Sequence, residues 1–427
     1  MASPSLSPPD RAPDRSPEEL GDGLVLRSAG GDDVDDVVAL AVAAFGPSDE
    51  PGVRAHLSAP GAVGDWTVVT DGGRVVSTSG LLPHRMVLDG IEFPGGQVEY
   101  VVTEPGYQRR GLVRAQFAWH HRRAAERGDL ALFIGGIPYL YRRFGYGYGL
   151  DYPAVRAPGP LAPAPDADPD LHVRLASDAD LPAIRALDEQ RPTSGLRIIR
   201  DGDAWALTMA MCRDNDWERL WVAERAGVIV GWFRTQHKPE DGRVYVPAAA
   251  VDRAEPPATT LAMVTRARQH AEPDALIVWD VADTTFTKHL ALLDQLGPPL
   301  QHGHGLYVRV PDPVALLERL RPLLSTRFAG SRYAERDGAL VLSFYDSAIT
   351  LDLQGGQVLA VRPTTGIEDP FAVGGVGIAP DWFGALVFGR FGAIGLEARV
   401  DDVTLGRARG LMEVLFPARP ADVVGEF

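Results

Sequence analysis

The order strand, helix, hairpin, strand, helix occurs twice along this chain, and few folds accommodate such a repeat. In the first instance residues 24–28 alternate like a strand. Asp32 and Asp33 then open an apolar-periodic helix reaching Phe45, with acidic side chains where a helix end is positive. Residues 66–70 and 74–79 flank Asp71-Gly72-Gly73 and predict a hairpin; residues 86–93 break at Asp89-Gly90 and predict another. Residues 97–103 read as a strand, 105–110 as a loop, 111–127 as a helix ended by Gly128, and 130–134 as a further strand. After a Pro/Ala/Asp-rich linker at 152–169 the pattern restarts. It gives a strand at 171–175, a Ser177-Asp178 cap, a helix at 181–187 and a hairpin of 221–224 with 228–234. A strand at 243–249 and a helix at 259–270 complete it. The repetition implies a duplicated α/β domain. The remainder differs: a helix at 313–324, strands at 340–344, 348–353 and 357–361, and a helix at 405–415 striped by Leu411, Val414 and Leu415. This is an α+β domain. The expected organisation is a disordered tail at 1–22 and domains at 23–155, 170–309 and 310–427.

Composition narrows the function classes. The 427 residues are 45% hydrophobic, a globular balance, and the formal charge of −15 repels phosphate backbones and anionic lipid. Nucleic-acid and membrane partners are therefore not expected, and a cationic amine suits the field better. A single cysteine, Cys212, forbids an internal disulfide and fits a reducing, cytoplasmic setting. The first 22 residues lack the apolar run of a signal peptide, and no stretch approaches the roughly 20 apolar residues of a membrane span.

The segment Thr103-Glu104-Pro105-Gly106-Tyr107-Gln108-Arg109-Arg110-Gly111-Leu112-Val113-Arg114 joins a strand to a long helix. A turn that delivers main-chain N–H groups into a helix N-terminus holds a pyrophosphate, helped by the macrodipole. Gly111 admits phosphate close to the backbone, and Arg109, Arg110 and Arg114 add charge. The alternative is a basic helix start facing solvent; the preceding strand, Pro105 and the length of the helix favour phosphate. Further on lies Tyr139-Leu140-Tyr141-Arg142-Arg143-Phe144-Gly145-Tyr146-Gly147. Taken alone, its tyrosines read as core aromatics.

Gln108 to Val113 resembles motif A of the GCN5-related N-acetyltransferase (GNAT) superfamily, with Val113 where Gly or Ala is usual. Together with Arg109-Arg110-Gly111-Leu112, the Tyr-x-Arg-Phe-Gly-Tyr-Gly segment and the three-domain plan resemble the enhanced-intracellular-survival (Eis) type acetyltransferases over residues 24–427. The resemblance implies two tandem GNAT-like domains, the second without a coenzyme loop, and then a sterol-carrier-protein-like α+β domain. It implies acetyl transfer from acetyl-CoA to a primary amine of a cationic polyamine or aminoglycoside-like substrate, without a metal. Tyr141 would be the general acid and the α-carboxylate of Phe427 the general base. Val101, Val102 and Thr103 would contact the acetyl and pantetheine arm, residues 109 to 114 (Arg109, Arg110, Gly111, Leu112, Val113, Arg114) the pyrophosphate, and Gly136 and Ile137 the coenzyme again. Phe45, Tyr100 and Glu426 would line the amine cavity, with Asp49 nearby. The resemblance also implies a homohexamer. The competing class is a non-catalytic acyl-CoA- or lipid-binding regulatory protein. His120 and His121 are adjacent on a helix and do not share a face. His302-Gly303-His304 lacks a third ligand at suitable spacing, and Cys212 reads as buried and inert.

Overall fold

A computed structural model of the chain describes residues 16–59, 61–151, 154–159, 168–191, 194–213, 215–239, 242–269, 276–280, 284–301, 305–365 and 369–423. Among these residues the strands form three sheets, of ten, eight and five strands.

The first sheet is built from β1 (Glu18–Gly21), β2 (Leu24–Ser28), β3 (Trp66–Asp71), β4 (Arg74–Leu88), β5 (Ile91–Thr103), β6 (Ala131–Ile134) and β7 (Gly147–Asp151), with α1 (Val34–Phe45), α2 (Glu50–Ser58) and α3 (Leu112–Arg127) packed on it. Neighbouring residues part to opposite faces, as strand geometry requires. Val68, Val75 and Leu82 pack with Val37, Val38, Ala41, Val53 and Leu57 of α1 and α2. Val69 and Val76 pack with Leu24, Leu26 and Leu112, while Leu81 and Val98 pack with Phe117 and Ala124 of α3. Each such aliphatic burial stabilises by about 1.5–3 kcal/mol, and the sheet ends up covered on both faces. Helix α3 is also held by polar contacts to β4: Ser79 Oγ lies 2.7 Å from His120 Nε2, and Ser77 Oγ lies 3.1 Å from the Gln116 side-chain amide.

Five of the expected elements or boundaries need correction. Residues 18–21 of the expected tail form β1, paired with β2 through a turn in which Asp22 and Gly23 have φ of 52° and 76°. Residues 1–15 lie outside the described residues. The strand Gly305–Arg309, assigned above to the second domain, sits between β6 and β7 in the first sheet. Leu196–Ile199 also leaves the second domain; it pairs with β4 and with Ala421–Asp422. Conversely, Ala154–Pro158, which straddles the expected end of the first domain and the linker, joins the eight-stranded sheet. The expected strand at 243–249 is two strands, Arg243–Val246 and Ala249–Val251, both against Val228–Lys238. Pairing of this kind is decided by distant partners and leaves no local mark.

The five-stranded sheet carries the helix Pro313–Ala329 and shares one continuous core with the far end of the first sheet, where Met86, Phe93, Phe133 and Leu306 meet Leu320, Phe383 and Phe388. At this seam a Cβ on Gly147 would stand 1.6 Å from the Asp381 carbonyl oxygen, so only glycine lets the two backbones approach. Among the described residues no helix is long and apolar enough to cross a membrane.

Candidate active site

Strand β5 runs parallel to β6, but their pairing covers only Gly95 to Gln97. Beyond Gln97, β5 stays paired with β4 on one edge while its other edge parts from β6. Val101, Val102 and Thr103 border this opening. Val102 is buried, and its carbonyl accepts from Ser77 Oγ at 2.8 Å. The register against β4 shifts between Thr78 and Gly80, and at this bulge Tyr100 has φ of 53°. The bulge turns the Tyr100 ring onto Trp66, stacked at 5.5 Å, on the side that Glu99 also faces across Gly80. A Cβ on Gly80 would lie 2.7 Å from the Trp66 ring.

The segment leaving β5 is pinned by a residue the sequence reading passed over. Tyr107 donates its hydroxyl to Asp71 Oδ2 at 2.6 Å, and its ring lies between the guanidinium groups of Arg74 and Arg110 at 5.6 and 5.0 Å. The signal was an aromatic among arginines, which composition alone does not distinguish from packing. Past it, Arg109 (φ 64°) and Gly111 (φ 83°) turn the chain into α3, and a Cβ on Gly111 would meet nothing within 4 Å. The first amides of α3 have no partner inside the helix. The Arg109 and Arg114 side chains, both exposed, make no ion pair or hydrogen bond among the described residues. Val113 is half-buried beside Phe117, and Leu112 is buried. An open turn with free amides, no Cβ at its apex and unpaired guanidinium groups suits a pyrophosphate.

Across the opening, Gly136 has φ of 114°, and a Cβ there would lie 3.2 Å from the Tyr141 hydroxyl. Ile137 is 60% exposed. Tyr141 is buried, stacked on Phe117 at 5.8 Å and edge-on to Tyr307 at 5.5 Å. Burial pushes its hydroxyl up to about 12, with the nearby Glu99 carboxylate adding to this and the Ile137 main-chain N–H opposing it. Tyr141 therefore keeps its proton at neutral pH.

Glu99 is the residue the sequence reading missed. Burial pushes its carboxyl up to about 7; the Gln97 side chain and the Tyr100 main-chain N–H oppose, and Asp49 adds. Gln97 Nε2 donates to Glu99 Oε1 at 2.6 Å. Its sequence signal was a carboxylate between Val98 and Tyr100, inside a strand and next to the bulge. Phe45 and Tyr100 come together with ring centroids 6.0 Å apart. Asp49 faces the same region, 3.3 Å from Lys238 Nζ of the eight-stranded sheet. Buried Glu218, from that sheet too, accepts from Gln236 Nε2 at 2.8 Å. Burial holds His56 down at about 3 and His84 at about 4, so neither carries charge at neutral pH. Burial also pushes the Cys212 thiol up to about 12. Glu426, Phe427 and His302-Gly303-His304 lie outside the described residues.

The comparisons with known proteins agree with this geometry. Residues 25–149 match the family described as an acetyltransferase (GNAT) domain. N-acetyltransferase Eis of Mycobacterium bovis and of Mycobacterium tuberculosis is 32% identical over 130 residues, 29% of this chain. The chain thus spans about a third, 32%, of the length of the curated relatives it matches. Among solved structures, a conserved protein of Enterococcus faecalis V583 described as a probable N-acyltransferase covers 95% of this chain and 100% of its own, with a TM-score of 0.67 at 13% identity. Eis1 of Mycobacterium abscessus covers 94% and 99%, with a TM-score of 0.60 at 15% identity. These likenesses extend the shared fold over nearly the whole chain.

Proposed function

Residues 25–149 being a GNAT acetyltransferase domain of the Eis type, we propose that the chain moves acetyl from acetyl-CoA to a primary amine of a cationic substrate by direct attack. The observation that carries this reading is the opening past Gln97, with a protonated Tyr141 hydroxyl on one side and a carboxyl tuned to about 7, Glu99, on the other. Acetyl-CoA supplies the thioester carbonyl carbon. The amides at the start of α3, with Arg109, Arg110 and Arg114, hold the pyrophosphate. The β5 edge at Val101, Val102 and Thr103, with Gly136 and Ile137 opposite, holds the pantetheine arm. Glu99 takes the proton that the amine must lose to become a nucleophile, and Tyr141 gives its own to the departing thiolate. Phe45 and Tyr100 face the amine with their rings, and Asp49 and Glu99 supply its counter-charge.

A second proton acceptor is the carboxylate of Phe427. The strand Ala421–Asp422 runs along Leu196–Ile199 in the direction that leads down β4 from Leu88 toward the opening, which supports keeping it. A C-terminal extension separates the two: it leaves turnover intact if Glu99 suffices and abolishes it if the Phe427 carboxylate is required. We also read the eight-stranded sheet as a second GNAT-like domain without a coenzyme loop, because Val251-Asp252-Arg253-Ala254-Glu255-Pro256-Pro257 offers no glycine at the matching turn. The five-stranded unit is read as sterol-carrier-protein-like.

The test is thiol release from acetyl-CoA with a panel of polyamines and aminoglycosides. Tyr141→Phe is expected to lower kcat by ~10²-fold with CoA binding retained. No turnover with any amine would turn the reading toward a non-catalytic acyl-CoA-binding protein. A wild-type rate in Tyr141→Phe would return that residue to packing.

A further inference from the structure

Behind the segment that carries Tyr141 lies a second cavity, of about 690 Å³, between the first sheet and the C-terminal unit. It contains no residue of the coenzyme loop and none of the amine-facing group. Its walls are the far side of residues 139–146, the end of the strand Gly305–Arg309, and the C-terminal unit around Phe344 and Phe383. The volume is within the range of sites for small organic ligands.

The charges lining it do not cancel. Three guanidinium groups, Arg142, Arg143 and Arg309, face two carboxylates, Asp346 and Asp381. Asp381 is already engaged by Arg142. Asp346 is exposed and accepts from Ser347 Oγ at 2.9 Å. Arg309 is half-buried over Gly145, 3.3 Å from where a Cβ would stand, and makes no ion pair or hydrogen bond among the described residues. A guanidinium taken partly out of water without a counter-ion is costly unless something else supplies one. Beside it Tyr146 is fully buried, and its hydroxyl has no hydrogen-bond partner. Buried hydroxyls are rarely left so. Tyr146 and Arg309 are close enough to act on each other electrostatically, and both belong to the cavity wall. The rest of that wall mixes apolar Val308, Val310, Phe344 and Phe383 with polar Tyr139 and Ser347.

We propose that this cavity binds an organic anion, a carboxylate or phosphate carried on an apolar body, with the Arg309 guanidinium as its charge partner and the Tyr146 hydroxyl as a donor. Arg143 adds charge at the mouth. The apolar walls take the body of the ligand, and a cation is disfavoured by the net positive lining. Tyr146 meets Phe117 edge-on at 6.0 Å and Tyr141 stacks on the same ring at 5.8 Å, so the site and the proposed acid share one aromatic neighbour.

The experiment uses the full chain saturated with CoA, so that the coenzyme loop is filled. Benzoate and phenyl phosphate are titrated calorimetrically, one probe for each anion type. At least one is expected to bind, with affinity reduced tenfold or more in Arg309→Gln and several-fold in Arg143→Gln, and raised in Asp346→Asn. The better probe identifies the anion. If Arg309→Gln does not fold, Tyr146→Phe removes only the unpartnered hydroxyl and is expected to weaken binding as well. Binding of neither probe, binding indifferent to these substitutions, or displacement of the bound probe by further CoA would overturn the proposal.

Discussion

Replacing Glu99 by Gln removes a charge while nearly conserving shape. The carboxyl stands at about 7 instead of 4.5 because burial disfavours its ionised form. That displacement corresponds to about 3 kcal/mol at 1.36 kcal/mol per pH unit. The sign follows from proton binding. Over the interval from 4.5 to about 7 the folded chain holds a proton that the unfolded chain has released, so stability falls as pH rises through it. A Gln has nothing to ionise, and its Oε1 can still accept from Gln97 Nε2, which donates to Glu99 Oε1 at 2.6 Å. Glu99→Gln is therefore expected to match the parent near about pH 4 and to exceed its stability by about 1–3 kcal/mol above about pH 7, the lower figure if water reaches the half-buried carboxylate. Calorimetric unfolding of both chains at about pH 4 and about pH 8 reads this directly. The same substitution is expected to lower kcat/KM by ~10²-fold or more and to erase the rise of the rate with pH near about 7. Equal stability differences at the two pH values would refute the raised carboxyl. A parent-like rate would remove Glu99 from the proton transfer even if the stability result held.

Two further outcomes follow from charge pairing. Asp89 accepts from Gly195 N at 2.6 Å, Arg327 Nη2 at 2.5 Å and Arg419 Nε at 2.9 Å. Asp89→Ala is expected to cost about 3–5 kcal/mol by stranding partly buried guanidinium groups, read as a lowered calorimetric midpoint. Lys238→Met removes one partner of Asp49, whose Oδ2 lies 3.3 Å from Lys238 Nζ. It is expected to lower KM for polyamines several-fold with kcat held; a raised KM would show that Lys238 orients Asp49 instead.

What could be read from the sequence was local. The turns at Asp71-Gly72-Gly73 and Asp89-Gly90 and the cap at Gly128 announce themselves, because positive φ needs those residue types: 57° and 93°, 44° and 89°, and 74°. The loop from Pro105 to Gly111 was legible for the same reason, its glycine standing at φ of 83°. The bulge was not, since Tyr100 is a residue type that seldom takes φ of 53° and is held there by its stack on Trp66. Nor was the carboxyl of Glu99, whose proton affinity comes from burial by elements remote in sequence. The ends of the domains were misplaced because Leu196–Ile199, Gly305–Arg309 and Ala154–Pro158 look like ordinary strands whichever sheet they join.

That strand exchange bears on whether the first domain can act alone. Gly305–Arg309 fills the gap between β6 and β7, and Tyr307 supports Tyr141 edge-on at 5.5 Å. A chain cut after Asp151 loses the buried side chains of Leu306, Tyr307 and Val308. At about 1.5–3 kcal/mol for each, that is about 5–9 kcal/mol, comparable to the entire stability of a typical domain. It also leaves β6 and β7 as open edges with no strand between them. The family match at residues 25–149 marks where the motifs lie, yet the folding unit is larger. A chain of residues 16–151 is expected to aggregate or to lack a cooperative unfolding transition, and its Tyr141 to lose the packing that orients the ring and raises the pKa of its hydroxyl. Circular dichroism melting and CoA binding of the cut chain measure both. A cut chain that melts cooperatively and turns over amines at the full-length rate would mean that the inserted strand is decoration and that the site belongs to the first 151 residues alone.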